Sequence, residues 1–234
     1  MNRGQFRSLV ESYVKYSGNQ YISDAVDLNT LCNERLRAFS AETLCLYDDA
    51  ITLTLTANTA TYNFRDLSIV SKELVLPTHV VIDAYPLYNY QMRRGFASLD
   101  EVATYSPNYL TAGAAKPNRA ILLPGNTLRL VAKPDQVYTN CYLPGFYFHP
   151  TISTLPSGDA TSISIPEEFQ RVAAIYTAID LLLPTSTAQS DYEKIAVFDK
   201  RAAQQMMELK SRSASFFDGP GLRGMNREHP GLYL

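Results

Sequence analysis

The chain has no tryptophan, and only three cysteines and three histidines among its 234 residues. Cys32, Cys45 and Cys141 form an odd set without close spacing. That pattern argues against a disulfide framework and against a thiolate zinc site, and it suits a reducing compartment. His79, His149 and His229 stand far apart in the sequence, and none sits at metal-ligand spacing with another ligand. Basic charge is also short. The formal net charge is −2, whereas a protein that grips nucleic acid by its phosphates needs a concentrated basic face. The nearest candidate is Arg93-Arg94, an adjacent pair expected to be solvated. No apolar run reaches membrane-spanning length, and Ala173–Leu183 is broken by Asp180. The opening residues, Met1 to Arg7, contain no apolar signal core. The expectation is a soluble protein made in a cytoplasm.

Catalytic signatures are missing as well. There is no phosphate-binding Gly-x-x-x-x-Gly-Lys loop, no Gly-x-Ser-x-Gly elbow and no His-Glu-x-x-His helix. Asp83 follows an apolar strand pattern and Asp180 interrupts an apolar helix pattern. A hydrolase built on Asp83, Asp180 or His149 is the enzymatic alternative, because a buried carboxylate can be tuned as an acid or base. Pairing with an arginine or a backbone donor is the commoner fate of such groups. No catalytic residue, metal or cofactor is assigned, and the chain is expected not to be an enzyme.

What the sequence does contain is a three-part layout. Phe6, Leu9, Val10, Tyr13 and Val14 recur at helical spacing, with Gly18 as a stop. A second helix is expected to start at Asp27, with Leu28, Leu31, Cys32, Leu36, Phe39 and Thr43 on one face. At Ile51 the period changes to two. Ile51, Leu53 and Leu55 alternate with threonines, and a turn near Asn58 leads to Tyr62 and Phe64, which predicts a β-hairpin. Leu74–Leu76 and Val80–Ile82 are short strand candidates. Ser98 and Glu101 have capping-box spacing for a short helix over Ser98–Tyr105. Pro124-Gly125-Asn126 predicts a second hairpin turn. Pro144-Gly145 predicts that the strand region Tyr138–His149 is bulged or lies at an edge.

Ile165-Pro166-Glu167-Glu168 predicts the start of a long helix, with two carboxylates at its positive end. Phe169, Val172, Ala173, Tyr176, Ile179 and Leu183 form its apolar stripe. A last helix is predicted to open with Ser190 and Glu193 and to bury Tyr192, Ile195, Ala196, Ala203, Met206 and Leu209. From Ala214 onward the density of glycine and proline argues against regular structure. Phe216, Phe217, Leu222, Tyr233 and Leu234 are nonetheless apolar, which a purely solvating tail would avoid. The expected fold class is α+β: a helical bundle formed by N- and C-terminal helices, a central antiparallel β insertion and an extended C-terminal tail. The expected boundaries are 1–49 with 160–213 for the bundle, 50–159 for the insertion and 214–234 for the tail.

This order of phrases resembles the head–tail connector, or adaptor, proteins of tailed bacteriophages. In that family the second helix carries an acidic cap and an early Asn, as in Asp27-Leu28-Asn29-Thr30-Leu31-Cys32-Asn33-Glu34. An aromatic phrase opens the β insertion, here Tyr62-Asn63-Phe64. Leu128-Arg129-Leu130-Val131-Ala132-Lys133-Pro134-Asp135 and Ile165–Glu168 follow in the family's order. Where the family usually has Trp before the second helix, this chain has Tyr21-Ile22-Ser23-Asp24. The resemblance spans about residues 3–213. It implies a structural virion protein that forms a ring, usually dodecameric, between the portal vertex and the tail, where it continues the DNA channel. The implied partners are the portal protein, a tail protein and further copies of the chain. Genomic DNA would pass without sequence-specific binding, and no membrane is involved. By the same analogy Phe216, Phe217, Leu222, Arg223, Tyr233 and Leu234 are candidate portal contacts. Tyr62, Phe64, Tyr88, Tyr90, Arg93 and Arg94 are candidate tail-facing residues of the β part. Another tail or baseplate structural protein is the nearest alternative.

Overall fold

Residues with a period near 3.6 build the long helices, and residues with a period of two build short strands. The computed structural model describes residues 1–16, 25–89, 91–183 and 189–217. They form an α+β fold. The helices are α1 (Arg3–Tyr16), α2 (Ala25–Thr43), α3 (Leu99–Tyr105), α4 (Glu167–Leu182) and α5 (Gln189–Phe217). The strands are β1 (Tyr47–Asp48), β2 (Thr61–Asn63), β3 (Leu74–Pro77), β4 (Val81–Ile82), β5 (Tyr85–Pro86), β6 (Ala120–Leu123), β7 (Thr127–Leu130), β8 (Cys141–Tyr142) and β9 (Gly145–Tyr147). No helix among the described residues is long and apolar enough to cross a membrane.

Two compact units divide the chain. One combines residues 1–46 with 149–217, and the other contains 47–148. In the first unit α4 packs against α1, α2 and α5. Its sequence explains this central place: Phe169, Val172, Ala173, Ala174, Ile175, Ala178, Ile179 and Leu182 are all buried. Burial reaches round more of the helix than the expected stripe, because small alanines admit neighbours closely on several sides. Leu183, expected inside, is 49% exposed. Phe39 of α2 meets Phe169 edge-on, with ring centroids 6.1 Å apart. That geometry suits the aromatic quadrupole.

The segment 149–163, expected in part to belong to the β insertion, lies instead with the helices. Polar residues of α2 at successive turns hold its backbone. Ser40 Oγ accepts the His149 N–H (2.8 Å). Asn33 Nδ2 donates to the Ile152 carbonyl (2.7 Å), and Asn33 Oδ1 accepts the Ile152 N–H (3.3 Å). Asn29 Nδ2 donates to the Thr154 carbonyl (2.9 Å). Buried backbone polar groups require partners, and here a helix side-chain stripe supplies them in place of a sheet. The fully buried Arg3 completes the attachment. Its Nη2 donates to the Leu155 carbonyl (2.7 Å) and its Nε to Asp159 Oδ1 (3.1 Å). Asp159 stands in a 3-10 turn, Pro156–Ala160, and also pairs with Arg7 at 3.1 Å. A Cβ at Gly158 would fall on the Ser153 carbonyl and lie 2.9 Å from Arg3 Nη1, so only glycine fits beside the guanidinium.

In the second unit three small antiparallel sheets share a core that includes Ile51, Leu53, Leu55, Phe64, Leu74 and Leu128. The expected hairpin of 51–55 with 62–64 does not form. β2 pairs with β7, while Leu53 and Leu55 make isolated bridges to Val70 and Tyr138. Alternation dictates which side chains turn inward; the neighbouring strand depends on long-range packing. The β6–β7 hairpin does form, and Gly125 and Asn126 both have positive φ (77° and 59°), as its tight turn requires. The box at Ser98 and Glu101 also closes, with both reciprocal bonds present. Within the region Tyr138–His149, β8 lies at the edge of its sheet beside β4, as expected, whereas β9 is the middle strand of its sheet, between β1 and β3. The irregularity expected near Gly145 falls on β3, where the register shifts between Leu74 and Leu76. A Cβ on Gly145 would lie 2.6 Å from the Leu76 carbonyl oxygen, which explains glycine in a central strand.

Candidate interaction surface

The stretch 83–97 presents several exposed side chains of the β unit. β4 and β5 pair through a two-residue turn, Asp83-Ala84, in which both residues have positive φ (51° and 66°). The left-handed region is ordinary for Asp but strained for Ala. Beyond β5 the chain folds back on itself at Asn89. The Asn89 N–H donates to the Arg93 carbonyl (2.9 Å), and Asn89 Oδ1 accepts from the Gln91 and Arg93 N–H groups (both 3.0 Å). Tyr88 and Arg94 form a bridge across the base. These bonds close the turn on itself. On this tip Tyr85 is 72% and Met92 73% exposed, and Arg93 and Arg94 are exposed as well.

A shallow cleft runs beside the hairpin, lined by Ile82, Tyr85, Pro86, Leu87, Lys116 and Pro117. Lys116 Nζ bonds Asp83 Oδ2 at 3.0 Å. Arg94 also acts on its surroundings: burial, reinforced by the positive charge of Arg94, pushes the His79 imidazole below its ordinary pKa. The tip's exposed aromatic, thioether and guanidinium groups match the residue types that dominate protein–protein contacts.

Of the expected tail-facing residues, Tyr88, Arg93 and Arg94 come together here. Tyr90 lies outside the described residues. Tyr62 and Phe64 are corrected: they are 4% and 1% exposed and fill the core of the β unit. The Tyr62 hydroxyl donates to the Thr59 carbonyl (2.7 Å), so even its polar end is used internally. Strand alternation had marked both as apolar, and the apolar face of a half-buried strand points to the core. Sequence reasoning missed Tyr85 and Met92. The signal was an Asp-Ala pair after a strand, which is weak turn chemistry unless the strand pairing is known.

The expected tail also changes at its start. α5 continues through Phe217, so Phe216 and Phe217 end a helix; their side chains, with Leu222, Arg223, Tyr233 and Leu234, lie outside the description. The groups of the enzymatic alternative are engaged locally. Asp180 takes the Arg35 guanidinium, and Asp83 takes Lys116. His149 is fully buried, with Nε2 accepting the Ser164 N–H at 3.3 Å. Burial pushes its imidazole down to about 4. Among the described residues no group of three or more His, Cys, Asp or Glu is arranged to hold a metal ion. Burial likewise drives the Cys32 thiol up to about 12, the protonated and unreactive form. No protein-family model matches this chain, and no curated protein matches it either.

Proposed function

We propose that the chain is a structural subunit of a bacteriophage neck, a connector that assembles as a ring between the portal vertex and the tail. The reading assigns it no catalytic activity. The helical unit serves as the ring's body, a bundle closed from both ends of the chain. The C-terminal tail beyond Phe217 reaches the portal through Leu222, Arg223, Tyr233 and Leu234, with Phe216 and Phe217 at its root. The tip carrying Tyr88, Arg93 and Arg94 meets the tail protein, and the genome passes through the channel without base-specific contacts.

One observation carries this reading. Two phrases of the connector resemblance, Asp27–Glu34 and Ile165–Glu168, are joined physically by the strap between them. Asn29 and Asn33 of the first phrase hold the backbone that runs into the second. Their order along the chain therefore has a shared structural cause. A ring also multiplies modest contacts, such as those of an extended peptide with aromatic anchors, into firm attachment.

The test is to mix the full chain, and a version ending at Phe217, with the portal of the same virus and to image the particles. A ring on the portal made by the full chain alone supports the connector role and gives the tail its task. No ring with either version overturns the reading and moves the chain to a tail or baseplate position.

A further inference from the structure

α5 carries two apolar stripes, and one of them is turned inward. Ile195, Ala202, Met206 and Leu209 are buried within the helical unit. At roughly 100° per residue, Tyr192, Ala196, Ala203 and Met207 fall on a second line about a third of a turn away. Ala196 and Ala203 are exposed, Tyr192 is 47% exposed and Met207 75%. Asp199 and Lys200, both exposed, sit at the middle of this line, and among the described residues neither forms an ion pair.

The stripe is self-complementary about the point between Asp199 and Lys200. A two-fold axis through that point sets an identical helix antiparallel on it. Each residue then faces the one equally far on the other side of the centre. Tyr192 meets Met207 of the second copy, Ala196 meets Ala203, and Asp199 meets Lys200. Every pairing occurs twice. Large apolar groups close both ends, with a thioether on an aromatic ring, a favourable contact. The alanines allow close helix approach, and opposite charges register the centre. A closed two-fold interface requires this kind of self-matching surface.

We infer that the second occupant of this face is another copy of the chain, and that free protein associates as an antiparallel α5–α5 pair. The inference does not depend on the ring, whose subunits meet head to tail. The contact is small, so the dimer is weak and concentration-dependent.

Charge exchange in the full-length chain tests it. Asp199→Lys or Lys200→Asp alone places four like charges at the centre and raises the dimer dissociation constant about tenfold in sedimentation equilibrium. The double exchange Asp199→Lys/Lys200→Asp restores opposite charges across the axis and returns the constant to the parent value. These positions are exposed, so folding is unaffected. A second readout is the Tyr192→Cys/Met207→Cys chain. Its two new thiols lie about 22 Å apart on one helix, so they bridge only between copies. Disulfide-linked dimers, absent from the parent chain under the same oxidation, support the pairing. Parent protein that stays monomeric at all concentrations overturns it, as does a double exchange that behaves like the single ones, or failure of the cysteine chain to cross-link. None of these outcomes bears on ring formation.

Discussion

Asn33 and Ile152 are joined along both edges of one carboxamide. The side chain donates to the Ile152 carbonyl and accepts its N–H, as a neighbouring strand would. Replacing Asn33 with Ala leaves two buried backbone groups without partners. The expected loss is about 2–3 kcal/mol, read as a lower urea midpoint at unchanged slope. A loss under about 0.5 kcal/mol, the usual size of a surface change, would show that the strap is held by other means.

Asp159 connects the strap to α1. Its carboxyl is held below the usual range, chiefly by the Arg3 hydrogen bond and further by Arg7, against the opposing effect of desolvation. A folded-state pKa below the unfolded one contributes stability above the ordinary carboxylate pKa. That stability is lost as pH falls through the folded value. Asp159→Asn should therefore melt lower than the parent at neutral pH, and the two curves should converge in strong acid. A constant gap at every pH would contradict the ion-pair account.

His149 predicts a second, separate limb. Burial holds its folded pKa near 4, with Arg37 adding repulsion and a backbone hydrogen bond at Pro150 acting the other way. The unfolded chain takes up this proton first, so stability is complete above about pH 6.5 and declines toward about pH 4 by roughly 3 kcal/mol. His149→Gln keeps an acceptor but removes the titration. Its stability should be flat across that window, and a variant as acid-sensitive as the parent would clear His149 of the effect.

Gly145 tolerates no side chain because the atoms its Cβ would meet are the Leu76 carbonyl (2.6 Å) and Pro77 Cα (2.8 Å), both backbone. Gly145→Ala should cost about 2–3 kcal/mol by forcing β9 and β3 apart. Thermal melts decide it; an unchanged melting temperature would mean that β3 yields freely.

Ala84 invites the opposite change. Its φ of 66° places an L-residue in the left-handed region on an exposed turn. Ala84→Gly relieves that strain and should raise stability by about 1 kcal/mol. A destabilised variant would show that the Ala84 methyl makes a contact worth more than the strain.

The sequence was most legible where a local rule acts alone. Periodicity located the four long helices, Ser98 and Glu101 formed their expected box, and Gly125-Asn126 made its turn. Helix starts were off by a residue or two: Asp27 lies within the first turn of α2, Pro166 occupies the cap of α4, and Ser190 is already inside α5. Pairings between distant strands were not legible, since Ile51–Leu55 carries no mark of Tyr138 or Val70. Polar stripes were misleading in a related way. Asn29, Asn33 and Ser40 look like a solvated helix face until a segment more than a hundred residues later supplies the backbone they bind. Arg3 reads as a surface arginine yet is the most deeply enclosed charge described. On α5, Ile195, Met206 and Leu209 are core as expected, whereas Tyr192, Ala196 and Ala203 are exposed and Ala202 is buried instead. The exposed tip was half legible: Tyr88 and the arginines were marked, while the turn that presents Tyr85 and Met92 was not.

The pairing of β1 with β9 sets Tyr47 opposite Phe146 and Asp48 opposite Gly145, so the β unit begins and ends on adjacent strands. Its two ends are clasped by its own ladder. A module with that property can be lifted from its host at one point and another grafted there. A graft made at this junction would have to match only one pair of neighbouring chain ends.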